Sequence, residues 1–361
     1  MVIGIDATRA NKPNKTGVEW YSFFLIKELV KLDPATTFRL YFNTDPEAGL
    51  QNLGPNVEYS QLKWPFKYLW TQIRLALEML INPPDVLFIP AQIIPWLHAK
   101  KTITTIHDVA YEVYQEDLSW KSRAYLRLAA KWAKKYCPKI ITVSHFSKQE
   151  IIKYYQIPAD RIEVIYLGLN EPEKIPQPPV VQKKDYLLYV GRLESKKNIA
   201  QLIRVFNEVA QTDWGNELKL HLVGYPSRGW SEAEQLINSF KLQAKVIQHG
   251  WIGGAEKYRL ISEANIYVHL AKYEGFGFGL IEAMACATPV VANRAACLPE
   301  IGADAAVFVD ANNIDETVAA LKSVYQDQAL RQRLITAGLK RAQDFSWTEA
   351  ARQTLAVLKS V

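Results

Sequence analysis

Short runs of β-branched and apolar residues alternate along this chain with longer stretches whose apolar positions recur every three to four residues. That alternation is the pattern of repeated βα units around a parallel sheet. In the first half, residues 2–5, 38–42, 86–89, 101–106 and 140–143 predict strands, and residues 18–32 and 119–136 predict helices. Proline then crowds residues 170–184 at Pro172, Pro176, Pro178 and Pro179, a density that neither a helix nor a central strand tolerates. Beyond it the pattern restarts. Strands are predicted over 186–190, 219–223, 246–249, 266–270, 289–292 and 306–309, with helices over 198–211 and 231–241. The final segment, 345–358, carries a helix-entry signal in Ser346 and Glu349.

The expected architecture is therefore α/β, with two Rossmann-like parallel-sheet domains. Their expected spans are 1–169 and 185–344, with a linker over 170–184 and a last helix over 345–361. A length of 361 residues suits two cores better than one. No run of 18 or more apolar residues is present, and the opening Met1-Val2-Ile3-Gly4-Ile5-Asp6 reads as a buried strand rather than a signal peptide. Cys137, Cys286 and Cys297 form no CxxC pair, so small buried hydrophobes in a reducing, cytoplasmic compartment are expected.

Chemistry concentrates at the ends of the predicted strands. Glu274-Gly275-Phe276-Gly277-Phe278-Gly279-Leu280-Ile281-Glu282 lies between a strand and a helix. Its alternating glycines let backbone approach a ligand, and the helix that follows offers free N–H groups to a phosphate or sugar hydroxyl. Glu274 and Glu282 flank the loop with the geometry for two pairs of vicinal hydroxyls. Gly191-Arg192-Leu193-Glu194-Ser195-Lys196-Lys197-Asn198 follows the second half's first strand, where Arg192 supplies a fork for phosphate oxygens and Lys197 a mobile charge. His107-Asp108 stands at a first-half strand tip, and Thr16-Gly17 opens the first helix. The bland readings are a glycine-rich turn with solvated acids, a basic surface turn, a capped histidine and an ordinary loop.

Taken together, the Glu274-to-Glu282 segment, Gly191-Arg192 with Lys197, His107-Asp108 and the stretch Thr142 to Ser147 resemble the family-four retaining glycosyltransferases over nearly the whole chain. The resemblance implies the GT-B architecture, with the last helix crossing back to the first domain. It implies Arg192, Lys197, Glu274 and His107 as catalytic positions: Arg192 and Lys197 on the donor diphosphate, Glu274 and His107 on the hexose. Glu282 would take the ribose, with Gly17, Gly191, Gly275, Phe276 and Gly277 completing the donor site. Two positions depart from the family: its glycine-rich pair in the first loop is reduced to Thr16-Gly17-Val18, and Asn198 stands where many members have glycine.

The expected reaction is metal-independent transfer of a hexose, with a lean to mannose, from GDP- or UDP-hexose to a glycan or lipid-linked acceptor in polysaccharide biosynthesis. No cofactor and no metal are expected, since no DxD-type acidic site stands out. An epimerase or phosphorylase of the same architecture, or a non-catalytic nucleotide-sugar binder, are the alternatives. A nicotinamide enzyme is disfavoured because no GxGxxG follows the first strand of either half.

Charge adds one further expectation. The net +6 falls mainly on residues 1–170, with 21 Lys and Arg against 16 Asp and Glu. Trp64-Pro65-Phe66-Lys67-Tyr68-Leu69-Trp70 and the basic helix 120–136 suit peripheral contact with an anionic membrane surface, against the bland reading of a core-packed helix with a solvated charged face; no nucleic-acid partner is expected.

Overall fold

A computed structural model describes residues 1–66, 68–176 and 182–361. Lys67 and residues 177–181, including Pro178 and Pro179 of the proline-dense stretch, lie outside the described residues. The chain divides into two compact units, Met1–Gly168 with Ser346–Val361, and Leu169–Phe345.

The first unit is built on seven strands: β1 (Val2–Asp6), β2 (Thr37–Phe42), β3 (Val57–Gln61), β4 (Val86–Ile89), β5 (Thr102–Thr105), β6 (Ile140–Thr142) and β7 (Ile162–Val164). They are all parallel in the order β3-β2-β1-β4-β5-β6-β7. Helices α1 (Gly17–Leu32), α2 (Ala76–Ile81), α3 (Ala110–Val113), α4 (Trp120–Tyr136) and α5 (His145–Tyr155) connect them. Ile3, Ile5, Leu87, Phe88, Ile103, Ile140 and Ile141 are buried, as expected of strands covered on both faces.

The second unit holds β8 (Lys184–Val190), β9 (Lys219–Val223), β10 (Val246–Gly250), β11 (Ala264–His269), β12 (Val290–Asn293) and β13 (Ala306–Val309), parallel in the order β10-β9-β8-β11-β12-β13. Its helices are α6 (Ile199–Val209), α7 (Trp230–Ser239), α8 (Gly254–Glu263), α9 (Phe278–Ala285), α10 (Leu298–Gly302), α11 (Ile314–Gln326) and α12 (Gln328–Ala342).

Strand order reverses once in each sheet, between β1 and β4 and between β8 and β11. Loops at the carboxyl ends of those pairs part to opposite faces and leave a crevice.

Helix α13 (Trp347–Lys359) returns to the first unit. Ser346 caps it by accepting from the Glu349 amide. Trp347 stacks on Phe24 at 5.5 Å between ring centroids, and Lys359 pairs with Asp33 at 2.6 Å.

The stretch expected to be a linker over 170–184 is not free over its length. Residues 169–176 belong to the second unit, where Asn170 and Ile175 are buried and the Tyr258 hydroxyl donates to the Asn170 carbonyl. Lys184 already opens β8. The chain changes unit at Gly168/Leu169 and again at Phe345/Ser346.

Candidate functional site

In the second unit β8 runs out at Val190 into Gly191 and Arg192, and β11 runs out at His269 toward Glu274. These two loops flank the sheet's point of reversal. A 3-10 turn, Ser195–Lys197, carries the chain from β8 to α6. Asn198 then takes a left-handed conformation at φ +61°. Asparagine tolerates that region, so it occupies the glycine-preferring position at α6's entry.

Lys197 reaches across to the other loop, placing Nζ 2.5 Å from Glu274 Oε1. His269 Nε2 donates to the same oxygen at 3.1 Å, while its Nδ1 lies 3.2 Å from the Tyr267 hydroxyl. Both contacts fall on Glu274 Oε1. Burial pushes the Glu274 carboxyl up, but the Lys197 charge and the His269 hydrogen bond outweigh it and hold the group well below the usual carboxylate range. Glu274 is thus an anion with one oxygen occupied.

Glu282 sits inside α9 with a side chain 6% exposed, and Lys257 of α8 meets its Oε1 at 2.6 Å. Both acids act on the Tyr267 hydroxyl, which burial first, then their charges, raise well above its ordinary value. Gly277 enters α9 at φ +89°, a conformation L side chains rarely adopt. Gly279 has a different task from the ligand approach its sequence position implied: a Cβ there would lie 1.9 Å from the Tyr267 hydroxyl. Gly275 and Phe276 are buried in the same loop. Arg192 is the open member, with a side chain 58% exposed and Nη1 3.8 Å from Glu194.

Neither Lys257 nor His269 belongs to a motif singled out in the sequence. His269 has only the weak signal of a polar residue at a strand's carboxyl tip; Lys257 has none, because only folding brings α8 beside α9.

In the first unit, His107 lies just beyond β5. Its Nε2 donates to the Pro90 carbonyl at 2.9 Å, and its ring meets Tyr21 edge-on at 4.6 Å. Burial lowers the imidazole from its ordinary value, against the Pro90 hydrogen bond and the Asp108 charge, so the ring stays neutral with Nδ1 as an acceptor. His107 and Asp108 do not form a dyad: Asp108 Oδ1 accepts from the Ala110 amide at 2.9 Å and caps the turn into α3. Gly17 is the first residue of α1, whose capping box joins Thr16 to Glu19. Arg9 meets Glu19 at 3.3 Å beside it. Ser144, within the stretch Thr142 to Ser147, caps α5 by accepting from the Ser147 amide.

Two all-parallel Rossmann-like sheets, with a last helix returned to the first unit, define the GT-B class of fold. Residues 15–171 match Glycosyltransferase Family 4, and residues 170–341 match Glycosyl transferases group 1. The chain is 30% identical over 272 residues to the O-antigen chain mannosyltransferase B of Escherichia coli, covering 72% of this chain and 70% of that protein. It is 28% identical over 222 residues to the O-antigen chain mannosyltransferase RfbU of Salmonella typhimurium strain LT2, covering 62% and 60% respectively. Its fold is similar to that of sucrose-phosphate synthase from Thermosynechococcus elongatus, with a TM-score of 0.78, 20% identity, and coverage of 100% of this chain and 98% of that one. WaaG, a glycosyltransferase involved in lipopolysaccharide biosynthesis, gives a TM-score of 0.75 at 13% identity over 99% of both chains. The chain belongs to the group 1 glycosyltransferases.

Proposed function

We propose that the chain moves a hexose, mannose first among them, from a nucleoside diphosphate to a hydroxyl of a glycan or lipid-linked acceptor, with retention at the anomeric carbon and without a metal. The observation that carries this reading is the Lys197–Glu274 pair at the second unit's strand reversal. Glu274 of the pair lies on the loop that leads into α9, and the exposed Arg192 stands on the loop after β8 that also carries Lys197. The mannose assignment draws on the two O-antigen relatives, which are named as mannosyltransferases.

In this reading Arg192 and Lys197 hold the diphosphate, with Gly191 and the backbone from Gly275 to Gly277 around it. Glu274 Oε2 accepts from a hexose hydroxyl and Glu282 from the ribose. The acceptor oxygen bonds to the anomeric carbon as that carbon's bond to the phosphate oxygen breaks, and the acceptor's proton passes to the departing diphosphate. Negative charge grows on that leaving group, where the two cations and the helix end stabilise it. His107 accepts a sugar hydroxyl through Nδ1 rather than moving the proton, since its ring is a weakened base.

The test is ligand-linked stabilisation. With chelator present throughout, GDP, UDP and their hexose conjugates are added to wild type and to Lys197→Ala. A ligand at a hundred times its Kd adds about 2.7 kcal/mol, so a rise in Tm is expected with one nucleoside diphosphate series and none in the variant. Equal shifts in both proteins would remove the site from the crevice. An inverted anomer in the product would overturn retention alone.

A further inference from the structure

The first unit leaves an apolar face open. Residues Trp70–Leu75 form a π-helical turn that continues into α2, and Trp70, Leu75, Ala76 and Met79 are buried against the unit's core. From the opposite side Ile73, Leu77, Leu80 and Ile81 stand 37%, 44%, 67% and 76% exposed. Trp96 and Leu97, 54% and 50% exposed, extend the row from the loop after β4. Gln72 binds these elements together. Its amide donates to the Ile94 carbonyl at 3.1 Å and to the Tyr125 hydroxyl of α4 at 3.2 Å, and accepts from the Trp96 amide at 3.0 Å. Tyr125 and Leu128 of α4 are exposed beside it. Of the exposed large hydrophobics among the described residues, only Tyr225 and Trp251 fall in the second unit.

Charge says what covers this face. Helix α4 carries Lys121, Arg123, Arg127, Lys131, Lys134 and Lys135 and no acidic residue. Glu78, on the apolar helix itself, is neutralised by Arg74 at 3.1 Å. A second copy docked here about a twofold axis would set this cationic helix near its own image. Aliphatic side chains at the centre, tryptophan and tyrosine around them and lysine beyond match instead the layers of a bilayer surface, from acyl chain through headgroup to phosphate. We infer that the Ile73–Ile81 and Trp96–Leu97 face, flanked by the basic α4, docks the first unit on an anionic lipid surface. Within the expected stretch Trp64 to Trp70, Phe66, Tyr68 and Leu69 stand exposed, while Trp70 is buried and donates to the Leu62 carbonyl.

The inference does not rest on the donor reading, because it is tested with no nucleotide present. The full chain is sedimented with vesicles of phosphatidylcholine alone and of phosphatidylcholine with phosphatidylglycerol. Binding is expected only to the anionic vesicles, and to weaken with salt. Leu80→Glu/Ile81→Glu should lower partitioning by about tenfold or more, with Tm unchanged because both side chains already face water. Lys121→Glu/Lys131→Glu/Lys135→Glu provides a second, independent loss of binding. Tyr225→Glu, in the other unit, should bind as wild type. Wild type remaining in the supernatant with both vesicles would overturn the inference, as would binding at the wild-type level by both multiple variants. A dimer that Leu80→Glu/Ile81→Glu converts to monomer would assign the face to a second copy instead.

Discussion

A carboxylate withdrawn from water needs a counter-charge, because its desolvation otherwise outweighs what packing returns. Glu282 has Lys257 in that role, inside a pair whose side chains are 6% and 17% exposed. Lys257→Met should lower stability by about 3 kcal/mol, read as a drop in urea midpoint, and should weaken nucleoside diphosphate binding with it. Lys257→Arg should restore most of both; an unchanged midpoint would mean Glu282 is satisfied without the lysine. Arg192 is the contrary case, exposed and 3.8 Å from its nearest acid. Arg192→Ala should reduce turnover about 10²–10³-fold while leaving the urea midpoint in place, and normal turnover would take Arg192 off the leaving group. Proton linkage acts elsewhere. Burial, then the neighbouring His249, lowers His221 from 6.5 to about 4. Across that interval the unfolded chain binds a proton that the fold refuses. Neutral His221 therefore stabilises fully above pH 6.5 and loses its contribution as pH falls toward about 4. His221→Gln should flatten the acid limb of the urea midpoint over that window, and an unaltered slope would show that the ring titrates normally.

At the scale of elements, the loop from β11 into α9 is set by contacts that the motif does not display. The hydroxyl of Tyr267 lies against Gly279 and next to His269, which in turn holds Glu274. Gly279→Ala should displace that ring, lowering stability by about 1–3 kcal/mol and loosening Glu274. A variant that keeps both wild-type Tm and activity would show that α9 has room to shift. The same distinction explains what was readable beforehand. Strands such as β1, β4 and β12 are buried on both faces and announce themselves as apolar runs. The edge strand β3, Val57–Gln61, is largely exposed and the opposite edge strand β7 is a short Ile-Glu-Val only partly buried, so neither carries an apolar run. The helix ending at Ile81 escaped because its apolar residues face both core and solvent. Within the site, Arg192, Lys197, Glu274 and Glu282 were legible because loop and helix order places them. Lys257 and His269 were not, because their partners arrive only through packing. At the tip of β5 only His107 remains a candidate, because Asp108 turns to cap α3.

For the whole molecule, the order of residues along the chain and the membership of the two units disagree at the C-terminus, and that disagreement has a consequence for stability. Helix α13 leaves the second unit after Phe345, whose ring packs edge-on against Phe276 at 5.7 Å, and is buried in the first through Trp347, Ala350, Ala351 and Leu358. Polar contacts hold the helix along its length: Thr348 to Glu28 at 3.0 Å, Lys359 to Asp33 at 2.6 Å, and Lys101 to the Val361 carbonyl at 2.7 Å. A chain ending at Phe345 keeps every residue of the second unit and strips a wall from the first. Loss of Trp347 alone empties a site worth about 3–5 kcal/mol, a large share of a unit's margin of about 5–15 kcal/mol. Calorimetry of the full chain should resolve two unfolding events, as chains of separate cores commonly do. Truncation should abolish or strongly lower the one belonging to residues 1–168, and limited proteolysis should cut there first. The other event should persist, and a nucleoside diphosphate should still raise its midpoint, because Arg192, Lys197, Glu274 and Glu282 all lie between Leu169 and Phe345. Loss of that ligand response with the second event intact would mean the donor needs the first unit to bind. Survival of both events would mean α13 adds little to the core it covers.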